Sequence, residues 1–353
     1  MFAGNDAVME RSIGRRFPST GVFTTVLPIP RGDDKLEKLT FVLSDETVIH
    51  ATLASSPSSS STSPLRTKIL LIHGLGSNRK TFDELIFHLM KTCDVCSFDI
   101  RMHGDNYQMQ SKTKTKVLNI ETFADDVMEL TNLLSARCGQ DNNWKNPLLV
   151  GHSYGGNIAL EVGKKYPKLP SGIVLIDGGY IDLQNCFEGN WENCEQMCRP
   201  PNQNIALNDF VPSLRAYYPL CSHLALNGLM ESFYLDVDSN CYRMKVSPEL
   251  YMEVIEDLWR CNPSERYSGE NTINCNVMML PSGKDVFFSK DKELDITRLS
   301  SAIGSDGDAE KVRIWWFEEN NHDVHAENAF GCAKAILENM DFLMLRASGS
   351  GSG

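Results

Sequence analysis

No run in the sequence approaches the ~20 consecutive apolar residues that a membrane-spanning helix needs. The stretch from Met1 to Pro18 carries Arg11, Arg15 and Arg16 beside Asp6 and Glu10, and it lacks the roughly 7–15-residue apolar run of a secretory signal. Despite many asparagines there is no Asn-x-Ser/Thr acceptor, and the 11 cysteines are an odd count. Reduced thiols in a cytoplasmic setting are therefore expected. Positive charge is also short: 34 Lys and Arg stand against 46 Asp and Glu, a net charge of −12 that repels phosphate backbones and argues against a nucleic-acid partner. There is no repeat of fixed period, which excludes solenoids and propellers. There is no nucleotide-binding fingerprint or flavin signature either, so no cofactor is expected.

What is there is an ordinary globular composition, 42% hydrophobic and 23% charged, in a chain of 353 residues. That is longer than a single core usually grows, which suggests one large domain with a sizeable insertion. Strand-like Leu39–Leu43 and Thr47–Leu53 precede a Ser/Pro tract, Ser55–Pro64, with the composition of a surface loop. From there apolar strands alternate with amphipathic helices: Ile69–Ile72 and Thr81–Met90, Val95–Ile100 and Ile120–Leu134, Leu148–Val150 and Asn157–Lys165, then Gly172–Ile176. Runs such as Ile69–Ile72 and Ile173–Ile176 are continuous and apolar, as in a parallel sheet covered on both faces. The rhythm fails from about Gly178 to Asn274 and resumes with Val277–Leu280, Val312–Phe317 and a helix over Ala326–Leu345. The expected fold is α/β: a mostly parallel, eight-stranded sheet with helices on both faces and an inserted, mainly helical cap. Its expected parts are an N-terminal extension (1–37), a core (38–177 and 276–346), the cap (178–275) and a Gly/Ser tail (347–353).

The chemistry is concentrated at strand ends. Gly151-His152-Ser153-Tyr154-Gly155-Gly156 follows one strand and opens a helix. A serine in that context sits on a strained turn whose flanking glycines let the backbone reverse, and the helix N-terminus behind it favours an oxyanion. His73-Gly74-Leu75-Gly76 follows another strand, so the backbone N–H groups of Leu75 and Tyr154 are the expected oxyanion hole. Asp99-Ile100-Arg101-Met102-His103-Gly104 follows a third.

The order HG-x-G, D-x-R-x-HG and G-H-S-x-G-G resembles the α/β-hydrolase superfamily in its capped, esterase, lipase and lactonase-like branch, over roughly Leu39 to Leu345. The resemblance implies a serine esterase with a catalytic triad in the order nucleophile, acid, histidine: Ser153, then Asp285 in Pro281-Ser282-Gly283-Lys284-Asp285, then His322 in Asn320-Asn321-His322-Asp323-Val324-His325. Asp177, at the end of Gly172–Ile176, is the rival acid, a position some family members use. His325 is expected to be a capping or surface residue. The family role of Asp99, Arg101 and His103 is architectural. Met102 and Asn321 stand where the family usually has glycine, and asparagine tolerates the left-handed backbone that such a position would need.

His73, Gly74, Gly76, His152 and Trp191 are expected to contact substrate. The segment 178–275 also holds Phe210, Tyr217, Tyr218, Phe233 and Trp259, which suits a medium-sized apolar acyl or lactone substrate. Its seven cysteines lack a paired C-x-x-C, so no metal site is expected there. The expected activity is hydrolysis of a carboxylic ester, lactone or thioester through an acyl-enzyme. Acyl transfer or cyclisation by the same triad is the alternative, and a noncatalytic ligand-binding protein on the same fold is a third reading.

Overall fold

A computed structural model of the chain describes residues 35–55, 66–111, 118–138, 144–200, 204–284, 292–304 and 311–345. Its strands are β1 (Lys35–Val42), β2 (Val48–Ser55), β3 (Lys68–Ile72), β4 (Asp94–Phe98), β5 (Leu148–His152), β6 (Gly172–Ile176), β7 (Ile205–Ala206), β8 (Phe233–Asp236), β9 (Cys241–Met244), β10 (Val277–Leu280) and β11 (Val312–Ile314). Eight of them form one sheet in the order β1-β2-β4-β3-β5-β6-β10-β11. β2 runs antiparallel to β1 and β4, and every other pairing in this sheet is parallel.

The apolar runs are buried on both faces because side chains alternate sides along a strand. Leu70 and Ile72 of β3, with Ile173 and Leu175 of β6, pack against Phe123, Val127 and Leu130 of the helix Ile120–Cys138 and Ile158 of the helix Tyr154–Lys165. Ile69 and Leu71, with Val174 and Ile176, face the other way onto Leu85 and Leu89 of the helix Asp83–Leu89 and Ala333 and Ile336 of the helix Ala329–Glu338. Truncating any one of these leucines to alanine would cost about 2–5 kcal/mol.

Between β6 and β10 lie six α-helices and a second sheet of three strands, β7-β9-β8, among the described residues. The insertion is mainly helical, as expected, and the small sheet is an addition to it: alternation such as Cys241-Tyr242-Arg243-Met244, with Tyr242 and Met244 buried, spans too few residues to read as a strand from the sequence. The expected C-terminal helix is also broken into Val324–Glu327, Ala329–Glu338 and Met340–Met344. Asn328 and Asn339 stand at the breaks, and the Asn328 side chain accepts from the Gly331 N–H at 3.0 Å as an N-cap. Among the described residues no helix is long and apolar enough to cross a membrane.

Candidate active site

β5 and β6 are parallel neighbours with His152 paired to Ile176, so the residues that follow them, Ser153 and Asp177, emerge side by side at the C-terminal edge of the sheet. The Ser153 N–H donates to the Ile176 carbonyl at 2.9 Å. Both residues have left-handed backbones, φ 51° at Ser153 and 43° at Asp177. Such strain in non-glycine residues concentrates at functional sites, where the surrounding packing enforces it. Here that packing is close. A Cβ on Gly151 would lie 2.2 Å from the Gly155 carbonyl oxygen, and one on Gly155 would lie 2.1 Å from that of Ile72, so only glycine lets the helix begin this near to β3 and β5. Tyr154 is the first residue of that helix, so its N–H has no partner within the helix.

The third participant comes from the loop after β11. His322 Nδ1 donates to Asp177 Oδ2 at 2.8 Å, which fixes the tautomer with the proton on Nδ1. Asp177 is fully buried, and its carboxylate also accepts from Tyr180 Oη at 2.7 Å, Ser282 N at 2.9 Å, Ser282 Oγ at 2.8 Å and Lys292 Nζ at 3.0 Å. Burial pushes its pKa up. The hydrogen bond and charge of His322, the Lys292 charge and the Ser282 N–H together outweigh that effect and hold the carboxyl well below the usual range. Asp285, the acid preferred from the sequence, lies outside the described residues; the carboxylate on His322 Nδ1 is that of the rival, Asp177. An Asp directly after a buried strand and before Gly178-Gly179 was the available signal. Nothing in the spacing points to Lys292, 115 residues further on.

The expected substrate contacts separate into two groups. A Cβ on Gly74 would come within 2.9 Å of Ser153 Cβ, and one on Gly76 would come within 3.1 Å of Met244 Sδ and 3.2 Å of Tyr251, so this loop lies between the serine and the insertion. Leu75 and Trp191 share one apolar cluster with Tyr251 and Trp259. Met244 and Tyr251 are additions that sequence reasoning did not single out.

His73 and His152 are turned into the core instead, a correction to their expected role. His73 is fully buried; its Nδ1 donates to the Gly74 carbonyl at 2.8 Å and its Nε2 accepts from the Ile100 N–H at 3.0 Å, tying the loops after β3 and β4 together. Burial lowers its pKa to about 3. His152 is 3% exposed, donates from Nε2 to the His322 carbonyl at 3.1 Å, and is lowered to about 4, again chiefly by burial.

The surrounding loops are structural. Asp99 accepts from the backbone N–H groups of Arg79 and Asp105 and pairs with the Arg79 guanidinium, while Arg101 makes a two-pronged pair with Asp126 at 2.9 and 2.6 Å. Met102 has φ 63°, the conformation for which glycine would be preferred. Asn321, in contrast, is not left-handed: its N–H and side-chain amide both donate to Glu327, at 2.8 and 2.9 Å, and this is why an amide serves there. His325 is fully buried rather than superficial.

The sequence profile of the alpha/beta hydrolase family matches residues 69–335, well over half of the chain. Among curated proteins, a 2-(acetamidomethylene)succinate hydrolase of Mesorhizobium japonicum is 29% identical over 109 residues, 31% of this chain and 34% of that protein. A probable alcohol acetyltransferase of Saccharomyces cerevisiae is 29% identical over 121 residues, 34% of this chain and 32% of that protein. These matches span only about a third of the relatives' own length. Among solved structures, an E-2-(acetamidomethylene)succinate hydrolase superposes with a TM-score of 0.64 at 19% identity, covering 87% of this chain and all of that one. A peroxisomal α/β-hydrolase of Saccharomyces cerevisiae superposes with a TM-score of 0.68 at 13% identity, covering 91% and 92%. Family profile, strand order and the strained serine at the end of β5 agree: the chain belongs to the α/β-hydrolase family.

Proposed function

We propose that the protein is a serine hydrolase that cleaves a carboxylic ester, lactone or thioester through an acyl-enzyme, with Ser153 as nucleophile, His322 as base and Asp177 as acid. The observation that carries this reading is the hydrogen bond from His322 to the buried Asp177 carboxylate, beside the Ser153 elbow. Serine becomes a competent nucleophile when an imidazole takes its proton, and a buried carboxylate stabilises the imidazolium that results. With Nδ1 committed to Asp177, Nε2 of His322 receives the Ser153 proton and returns it to the leaving group. Water then reverses the sequence. The N–H groups of Leu75 and Tyr154 stabilise the tetrahedral oxyanion, each worth about 2.7–4 kcal/mol by the usual cost of removing such a donor.

The segment 178–275 serves as a cap in this reading. Met244, Tyr251, Trp191 and Leu75 provide an apolar wall that favours a neutral acyl chain. Likeness to a probable alcohol acetyltransferase favours a second reading, acyl transfer to an alcohol from the same acyl-enzyme. A fluorophosphonate probe should label Ser153 and nothing else. A panel of p-nitrophenyl esters and lactones, with and without added alcohols, then separates hydrolysis from transfer. An unlabelled Ser153 in folded protein would favour a noncatalytic role.

A further inference from the structure

We propose that His152, Asp323 and His325 form a binding site for one divalent transition-metal ion of the zinc type, directly behind the base. This departs from the sequence-based expectation of no metal, which rested on the cysteines. His152 ends β5, while Asp323 and His325 flank the first residue of the helix Val324–Glu327. One donor atom from each lies within 4.8 Å of the others. His152 Nε2 is 3.8 Å from Asp323 Oδ1, and the two imidazole rings are 4.2 Å apart. Tetrahedral zinc with bonds near 2.0–2.1 Å sets its donors roughly 3.3 Å apart, so side-chain rotations of about 1 Å close the site.

The second observation is His325 itself. It is fully buried against Phe82, and neither of its ring nitrogens has a protein partner among the described residues. A buried polar group without a partner costs about 1–3 kcal/mol, and the proposed hydrolysis gives this ring nothing to do. Coordination would satisfy its lone pair. Two imidazoles and a carboxylate make a donor set suited to zinc and its neighbours rather than to calcium or magnesium. Asp323 is the outward member, with 16% of its side chain exposed, and it hydrogen-bonds the Tyr218 hydroxyl of the insertion.

Nε2 is the His152 nitrogen facing Asp323, and it now donates to the His322 carbonyl. Binding the ion there shifts the proton to Nδ1 and breaks the hydrogen bond that holds the backbone of His322. Occupation therefore displaces the base and slows acylation of Ser153. This last consequence, unlike the binding itself, rests on the hydrolase reading.

The test uses the full chain freed of metal and titrated with Co2+. Wild type and Ser153→Ala should each take up one ion per chain with visible ligand-field bands of a nitrogen- and oxygen-liganded tetrahedral site, and Zn2+ should displace it. His325→Ala should abolish the bands and Asp323→Asn should weaken binding at least tenfold, with His325→Gln in reserve if the alanine variant fails to fold. Zn2+ should slow fluorophosphonate labelling of wild-type Ser153, reversed by EDTA, and leave labelling of folded His325 variants unaffected. Undiminished Co2+ binding in those variants, no stoichiometric binding in wild type, or the near-ultraviolet charge transfer of thiolate ligands would each overturn the site. If Ser153 resists the probe altogether, the hydrolase reading fails while the Co2+ spectrum still decides the metal site.

Discussion

Replacing Lys292 with methionine should separate stability from chemistry within one ion pair. Lys292 Nζ lies 3.0 Å from Asp177 Oδ1, and the two side chains are 3% and 0% exposed. Removing one partner of a buried pair leaves the other charge uncompensated, at a cost of about 3–5 kcal/mol. An unfolding entropy of about 2.1 cal/mol/K per residue gives about 0.7 kcal/mol/K for 353 residues, so the melting temperature should fall by ~4–7 °C. The carboxylate that remains still accepts from Tyr180, Ser282 and His322 and is no longer offset by a neighbouring cation. It stabilises the imidazolium at least as well as before. The rate of Ser153 labelling by a fluorophosphonate should therefore stay within about tenfold of wild type, whereas a triad acid changed to its amide typically costs ~10⁴. Thermal melts and labelling rates on the same preparation suffice. A Lys292→Met protein that melts like wild type yet loses as much reactivity as Asp177→Asn would refute the reasoning.

Ser153→Ala should abolish turnover and labelling while the far-ultraviolet circular dichroism stays that of wild type; a collapsed spectrum would mean that the serine supports the fold instead. Met244→Ala opens the apolar wall near Gly76 and should raise kcat/KM severalfold for longer acyl chains relative to acetyl esters, and an unchanged chain-length profile would remove Met244 from the pocket. Burial lowers the pKa of both His73 and His103 to about 3, so the unfolded chain takes up protons below pH 6.5 that the folded chain refuses, and stability falls as the pH drops from there toward 3. Each ring should cost about 1.2 kcal/mol between pH 7 and 5.5. Urea unfolding at the two pH values should show a drop smaller by that amount in His103→Gln than in wild type, and equal drops would contradict the buried neutral state.

The sheet was legible because its determinants are local. A strand buried on both faces reads as an apolar run, and three such runs, each followed by helical periodicity, leave few alternatives to a parallel α/β core. The serine elbow was legible for the same reason, since strand, glycines and helix start fall within ten residues. The partner of His322 was not legible in this way. Asp177 and Asp285 both follow strands of one sheet, and the choice depends on which loop returns to the imidazole, a matter of packing across 145 residues. The hydrogen bonds that anchor Asp177 come from Tyr180, Ser282 and Lys292, ordinary residues until the fold gathers them. His325 was misplaced because a histidine near a helix start resembles a surface cap, and only tertiary packing buries it against Phe82 and His152.

In the proposed mechanism Ser153 draws its reactivity from a base oriented by Asp177. The most direct measurement is the second-order rate of Ser153 labelling by a fluorophosphonate in wild type, Asp177→Asn and Asp285→Asn, each confirmed to be folded. Asp177→Asn should lose ~10³–10⁴ in rate and Asp285→Asn should stay within a few-fold of wild type. The reverse pattern, or no loss in either, would contradict the mechanism.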